Sequence, residues 1–87
     1  MITGTRVTVT TAVTKITEAD RVDQTAAIQN EDASLVAYLG GPDVTTTNYG
    51  YKLLPGQVFV VRMTVGEALF AVVSSGSLPL NVLTKGY

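Results

Sequence analysis

Residues 54–73 decide the fold, and they read LPGQVFVVRMTVGEALFAVV. Two runs rich in β-branched and aromatic residues, Val58–Val65 and Ala68–Val73, are separated by Gly66-Glu67. The preceding Leu54-Pro55-Gly56-Gln57 has proline and glycine at the two central positions of a type II turn. One face of the first run carries Phe59, Val61, Met63 and Val65. This alternation at period two predicts a strand, and the second run predicts another strand that is apolar on both faces.

The rest of the chain repeats this arrangement of short strands and turns. Further strands are predicted at residues 6–10, 12–16, 24–30, 34–39 and 78–83, with a short one at 44–47. Residues 17–21 are predicted as a polar loop, with a short helical turn as the alternative because Thr17 and Asp20 have capping-box spacing. Seven or eight short strands with frequent turn signals predict an all-β fold, a small antiparallel β-sandwich or barrel.

The length of 87 residues predicts a single domain over residues 1–87. A domain of this size buries only about 60 to 65% of the surface of its unfolded chain. Cysteine and histidine are both missing from the sequence, so neither disulfides nor a structural zinc site can add stability. Association with other subunits is the remaining way to add stability. We expect residues 1–5 and 85–87 to be flexible arms that order on a partner.

Charge and hydropathy argue against two classes of partner. The formal net charge is −1 and there is no run of lysine or arginine, which predicts no nucleic-acid binding. No stretch has the basic amphipathic pattern of a membrane-surface helix, and the apolar runs are far too short to span a bilayer. The first residues have neither the positive region nor the apolar core of a signal peptide.

The inventory of catalytic side chains is poor. Without histidine or cysteine, the usual general base and the thiol nucleophile are unavailable. A serine–lysine pair is possible in principle, but Ser74, Ser75 and Ser77 lie in a predicted turn with no lysine motif. Two acidic clusters, residues 18–23 and 31–32, would suit glycoside hydrolysis if they faced each other, or calcium binding, and a solvated loop is the simpler interpretation. We predict no enzyme, no catalytic residue, no cofactor and no metal site.

Two segments carry more apolar residues than one buried face can take. Leu35–Leu39 and Ala68–Val73 are apolar on both faces, whereas a strand with one wet face should alternate. The second face must be covered by the loop at residues 48–54 or by another subunit, because exposed apolar patches are rare in monomers. A homo-oligomer is the interpretation we favour, with Tyr38, Phe70 and Val72 near the subunit contacts.

Three further side chains allow either a structural or a binding interpretation. Arg62 is alone among apolar neighbours, so it lies on a solvated strand face or reaches an acid or carbonyl of a neighbouring subunit. Tyr49 and Tyr51 would form a sugar-stacking platform if exposed, or belong to a protein interface. We therefore include Arg62, Tyr49 and Tyr51 among the interface candidates.

The order of turns and apolar positions resembles that of a known group of proteins. It runs through Val36–Thr46, with the turn Leu39-Gly40-Gly41-Pro42, then through Tyr49–Gly56, and then through Gly66–Val72. This order resembles small β-sandwich proteins of tailed bacteriophages that are encoded among the virion structural genes. Such proteins are described as head decoration, minor capsid, head-fibre or tail-associated proteins.

The resemblance implies a function, a partner and a location. It implies a capsid decoration protein that binds the major capsid protein and stabilises the head, often as a trimer at threefold positions of the lattice. The protein would then be made in the host cytoplasm and located on the capsid surface of the virion. The alternative is a tail- or fibre-associated module that binds host surface carbohydrate through Tyr49 and Tyr51. A globular domain without a specific partner is the third hypothesis.

Overall fold

A computed structural model describes residues 2–19 and 21–86 as an all-β protein. Its eight strands are β1 (Ile2–Val9), β2 (Thr14–Glu18), β3 (Gln24–Asn30), β4 (Ala37–Gly40), β5 (Tyr51–Leu53), β6 (Val58–Met63), β7 (Ala68–Val72) and β8 (Leu78–Gly86). Within the described residues there is no helix, and Thr17 and Glu18 of the alternative helical turn belong to β2. Asp20, the other residue of that pattern, lies outside the described residues.

The strands form two antiparallel sheets of four strands each, which confirms the predicted β-sandwich. The first sheet has the order β1-β8-β3-β6 and the second has the order β2-β7-β4-β5. Each strand of the first half of the chain pairs with its counterpart in the second half, β1 with β8, β2 with β7, β3 with β6 and β4 with β5. This is the strand order of an eight-stranded jelly roll.

The interior is filled from the inner faces of both sheets. Fully buried side chains include Val9, Ile28, Leu39, Leu53, Leu78 and Leu80. Asn30 is the only buried polar side chain among the described residues, and it lies at the end of β3 with 0% of its surface exposed. Inward and outward positions alternate strictly along β3 and β8, because successive side chains of a strand point to opposite faces.

Residues 2–5 and 85–86 are not arms outside the sheet. Ile2–Thr5 is part of β1 and pairs with Val82–Lys85 of β8, which itself runs on to Gly86. The prediction of flexible arms at residues 2–5 and 85–86 was therefore wrong, while Met1 and Tyr87 lie outside the described residues. Buried residues at the other end of these strands fix the register, and backbone hydrogen bonding continues along both strands past the apolar part.

The predicted short strand at residues 44–47 is replaced by a turn. The Thr45 backbone N–H donates to the Asn48 carbonyl at 2.9 Å, and the Asn48 N–H donates to Thr45 Oγ1 at 2.9 Å. Threonine hydroxyls that bond to the nearby backbone compete with strand pairing in this way. One edge of the second sheet is instead formed by β5, where burial of Leu53 anchors a segment that begins in a predicted loop.

Two carboxylates accept hydrogen bonds that hold loops together. Their lowered pKa values predict how the stability of the fold depends on pH. The Leu35 and Ser34 backbone N–H groups donate to Asp32 at 2.7 and 2.9 Å, and this lowers the pKa of Asp32 below its ordinary value of 3.8. Thr64 donates to Glu67 through its N–H at 2.7 Å and its hydroxyl at 2.9 Å, which lowers the pKa of Glu67 below 4.5.

Because both pKa values are lowered by folding, the ionised carboxylates stabilise the folded state above the ordinary values. This contribution is lost as the pH falls through the lowered values. We expect the thermal midpoint to fall as the pH decreases below about 4.5, and to fall less in the double variant Asp32→Asn/Glu67→Gln. Thermal unfolding followed by circular dichroism at stepped pH measures this, and equal slopes for the two proteins would contradict it.

Candidate assembly surfaces

The outer face of the first sheet carries three rows of side chains that cross all four strands. The middle row is Gly4, Leu83, Ala27 and Val60; the polar row is Arg6, Asn81, Gln29 and Val58; the lower row is Ile2, Lys85, Thr25 and Arg62. Neighbours within a row are directly paired residues of adjacent strands, so their side chains stand side by side. We call Ile2, Val58, Val60 and Leu83, with Gly4 and Ala27 between them, the apolar strip.

The apolar strip is open to solvent in the single chain. Its large aliphatic side chains expose 65% of Ile2, 62% of Val60, 52% of Val58 and 52% of Leu83. A shallow depression of about 400 Å³ lies beside Leu83 over Gly4 and Ala27, because these two positions carry little or no side chain. Clustered exposed aliphatic residues of this kind mark surfaces that bind other molecules, whereas single exposed residues do not.

A hydrogen-bonded group closes the apolar strip on one side. Arg6 Nε donates to Asn81 Oδ1 at 3.1 Å, and Asn81 Nδ2 donates to Gln29 Oε1 at 3.1 Å and also to Glu31 Oε1. Arg6 Nη2 lies 3.9 Å from Glu31 Oε1, with both side chains more than half exposed. An ion pair this exposed contributes at most about 1 kcal/mol, so its effect is to fix the side-chain positions rather than to stabilise the fold.

Four of the six predicted interface residues lie together on the outer face of the second sheet. Tyr38 of β4 is paired with Val72 of β7, and Phe70 is the next outward residue along β7. The Tyr49 ring packs against the Tyr38 ring with centroids 4.9 Å apart. We call these four residues the second-sheet cluster. Tyr38 and Phe70 are half-buried, Val72 is buried and Tyr49 is exposed.

The other two predicted residues lie elsewhere. Tyr51 shares the inner side of the second sheet with Leu53, and its ring stacks on Phe59 of the first sheet with centroids 4.4 Å apart. Arg62 is exposed in the lower row of the first sheet, opposite Thr25 of β3. The six candidates therefore do not form one site, and Arg62 is on the opposite sheet from the second-sheet cluster.

The exposed apolar surface of the structure does not lie on the two segments whose sequence is apolar on both faces. No residue of Leu35–Leu39 or Ala68–Val73 is among the exposed ones, and Val72, on the outer side of β7, is only 5% exposed. Tyr49, from the loop predicted as a possible cover, lies on Tyr38 at this face. The loop at residues 48–54, one of the two covers predicted for these segments, therefore covers part of this face within one chain, and cover by another subunit stays a prediction.

The apolar strip was missed because its members are separate in the sequence. The signal was present in Val58 and Val60, which alternate with Phe59 and Val61 and therefore lie on the opposite face of the strand from those inward residues. Leu83 and Ile2 join them only through the register of β1 with β8 and of β8 with β3.

The side chains of residues 2–19 and 21–86 contain no group of three or more acidic residues that could hold a metal ion. In the part of the chain that the structure describes, no helix is long and apolar enough to cross a membrane. No protein-family model, curated protein or solved structure matches this chain.

Proposed function

We propose that this protein is a structural component of a tailed-phage virion that decorates the capsid, binding the major capsid protein and further copies of itself. The observation that carries the proposal is the apolar strip, whose four large aliphatic side chains are each at least 52% exposed on one sheet face. A single chain gains nothing from this arrangement, because the same residues would stabilise it if buried and make it prone to association when exposed.

Decoration requires modest contacts repeated many times. A small domain that bridges neighbouring capsid subunits adds buried area across their seams, and the contacts act together because each bound copy holds several subunits at once. The shell then resists internal pressure because separating its subunits exposes this added area. Jelly rolls occur among both viral capsid proteins and lectins, so the fold alone does not select this function.

The second-sheet cluster supplies the contact that we assign to the capsid. Tyr38 and Phe70 are half-buried, so their rings are already held in place and lose little side-chain entropy on binding. Tyr49 adds an exposed ring beside them, and Lys52 is paired with Tyr38 at the rim. Rigid aromatic side chains with a polar rim are the usual anchors of protein interfaces.

Carbohydrate binding by a tail or fibre module is less well supported. Tyr49 and Tyr51 are exposed to similar extents, 41% and 37%. However, Tyr49 packs on Tyr38 at the outer face of the second sheet, while Tyr51 stacks on Phe59 on the inner side. A sugar ring cannot stack on both, so the two tyrosines do not form one platform.

Rebinding to capsids tests the proposal. Particles of the virus that encodes the chain are analysed by quantitative mass spectrometry, then stripped of the protein and titrated with purified variants. We expect a fixed number of copies per capsid subunit, and a loss of affinity of about tenfold for Tyr49→Ala.

Tyr51→Ala is the matched control, because it removes the same kind of ring at similar exposure from the other side of the sheet. Its capsid affinity is expected to be unchanged, once circular dichroism shows that both variants are folded. Particles without the protein would overturn the proposal. Specific binding on a glycan array that Tyr49→Ala abolishes would favour the carbohydrate module instead.

A further inference from the structure

We propose that the apolar strip is an interface with a second copy of this chain, packed face to face about a twofold axis that runs parallel to the strands between β8 and β3. The inference rests on the proposed function only in taking this face as an assembly surface. The pairing of residues across the axis follows from the register of the first sheet alone.

The twofold axis reverses the order of the four strands while keeping each row in place. When two sheets pack face to face, the axis that relates them lies in the interface plane. With the axis parallel to the strands, β1 of one copy lies over β6 of the other, and β8 lies over β3. In the middle row, Val60 then faces Gly4 of the other copy, and Leu83 faces Ala27.

The sizes of these facing side chains are complementary. Val60 and Leu83 are the two large, exposed members of the middle row, and Gly4 and Ala27 are the two small ones. The depression of about 400 Å³ over Gly4 and Ala27 is the space that the other copy's side chains would enter. Interdigitation of large and small side chains gives the shape complementarity that stable interfaces need.

No two like charges are directly opposite each other in this arrangement, but Arg62 of one copy lies one strand spacing, about 4.8 Å, to the side of Lys85 of the other, which weakens the pair. Across the axis Arg6 faces Val58, Arg62 faces Ile2 and Lys85 faces Thr25. Arginine and lysine can lay their aliphatic stems on the aliphatic residues while keeping their charged ends at the rim. In the polar row, Asn81 faces Gln29, and two amides can exchange hydrogen bonds.

An axis perpendicular to the strands would pack much less well. If such an axis passes through the middle row, each residue of that row meets its own copy. Leu83 would be on Leu83 and Val60 on Val60, while Gly4 on Gly4 would leave a gap. Large side chains facing large ones hold the sheets apart, and the small positions are then unfilled. The parallel axis is the one that fills the depression.

The size of the face sets the strength of the interaction. Four strands about 4.8 Å apart and three rows about 7 Å apart cover roughly 400 Å² per copy, half the area of a standard interface. We therefore expect a dimer that forms with increasing concentration rather than an obligate one. A weak pair is sufficient for a protein that is concentrated on a repeating surface.

Disulfide cross-linking tests the direction of the axis. The described chain has no cysteine, so every thiol is introduced. In the double variant Gly4→Cys/Val60→Cys, the two thiols of one chain are three strand spacings apart, about 14 Å, which no disulfide can bridge. A cysteine at Gly4 fits, since its Cβ would lie 4.0 Å from Leu83 Cδ1. Mild oxidation is expected to give a covalent dimer of the double variant and much less of Val60→Cys alone.

Sedimentation supplies a second, independent measurement. The wild type is expected to rise from 9.2 kDa toward twice that mass, 18.4 kDa, between micromolar and millimolar concentration. Leu83→Ala is expected to weaken association at least tenfold, and the size swap Leu83→Ala/Ala27→Leu to restore it, because the large residue again faces a small one.

Three results would overturn the inference: a wild type that is strictly monomeric at millimolar concentration, a mass that approaches three chains, or equal cross-linking of Val60→Cys alone. A monomeric wild type that still binds capsids would overturn the pair and leave the decoration role intact. A dimer that does not bind capsids would overturn the decoration role and leave the proposed dimer intact.

Discussion

Replacing Asn30 with leucine is expected to lower the free energy of unfolding by about 3 kcal/mol or more, because it leaves buried backbone groups without partners. Asn30 Nδ2 donates to the carbonyls of Leu35 and Leu53 at 2.9 and 3.2 Å, and its Oδ1 accepts from the Asp32 N–H at 3.0 Å. Leucine is similar in size but makes none of these bonds, so the loss comes from the unmet hydrogen bonds rather than from a cavity.

The neighbouring amide provides the control for this substitution. Gln29 precedes Asn30 in β3 but points to the exposed outer face, where its side chain accepts a hydrogen bond from Asn81. Gln29→Leu is expected to change stability by no more than about 0.5 kcal/mol. Urea unfolding at low micromolar concentration keeps association out of the comparison. Equal stability of the two variants would show that the Asn30 bonds do not contribute.

The effect of Asn30 reaches beyond one side chain. Its backbone N–H donates to the Gln57 carbonyl at 3.0 Å and its own carbonyl accepts from Gly56 at 2.7 Å, so the end of β3 also holds the turn between β5 and β6. β5 has only three residues and lies at a sheet edge, where few other bonds hold it. The bond from Asn30 to Leu53 is thus a main link between the first sheet and this edge.

The sequence predicts that the Asn30 side chain points inward, but it does not predict the hydrogen-bond partners of that side chain. Alternation along Gln24–Asn30 with Ala26 and Ile28 inward also places Asn30 inward, and β3 has these bounds. What the pattern cannot contain is the set of partners, because Leu35 and Leu53 are five and 23 residues further along the chain. A polar residue at an inward position is therefore a recognisable signal whose meaning depends on the tertiary structure.

Turns were the most predictable features because their causes are local. Gly56 has φ of 81°, and the Gln57 N–H donates to the Leu54 carbonyl at 3.1 Å, which is the type II turn that Leu54-Pro55-Gly56-Gln57 predicts. Gly66 has φ of 96° in the turn between β6 and β7. These conformations favour glycine for steric reasons that do not involve the rest of the chain.

The assembly surfaces depend on pairings that no local pattern encodes. Gly4 pairs with Leu83, nearly the whole length of the chain away, and the middle row of the outer face exists only in that register. A shift of one residue would turn Leu83 into the core and Val82 out to solvent. The second-sheet cluster likewise needs the pairing of Tyr38 with Val72. Individual strands are therefore predictable from sequence, while the composition of a sheet face is not.

Truncation of Ile28 to alanine is expected to lower the free energy of unfolding by about 3 to 4 kcal/mol, the usual cost of a large cavity in a core. Ile28 is 0% exposed in a central strand, paired with Phe59 of β6 on one side and Val82 of β8 on the other. Neighbours on both sides are held by strand pairing, so they cannot move in to fill the space.

Val60→Ala is the matched comparison, because Val60 belongs to the same sheet and points to the opposite face. Its side chain is 62% exposed, so its loss is expected to cost the single chain less than about 1 kcal/mol. Urea titrations of the two variants measure the difference directly. If Val60→Ala cost the monomer as much as Ile28→Ala, the outer face would already be covered within one chain. The apolar strip would then have no surface to offer a second copy.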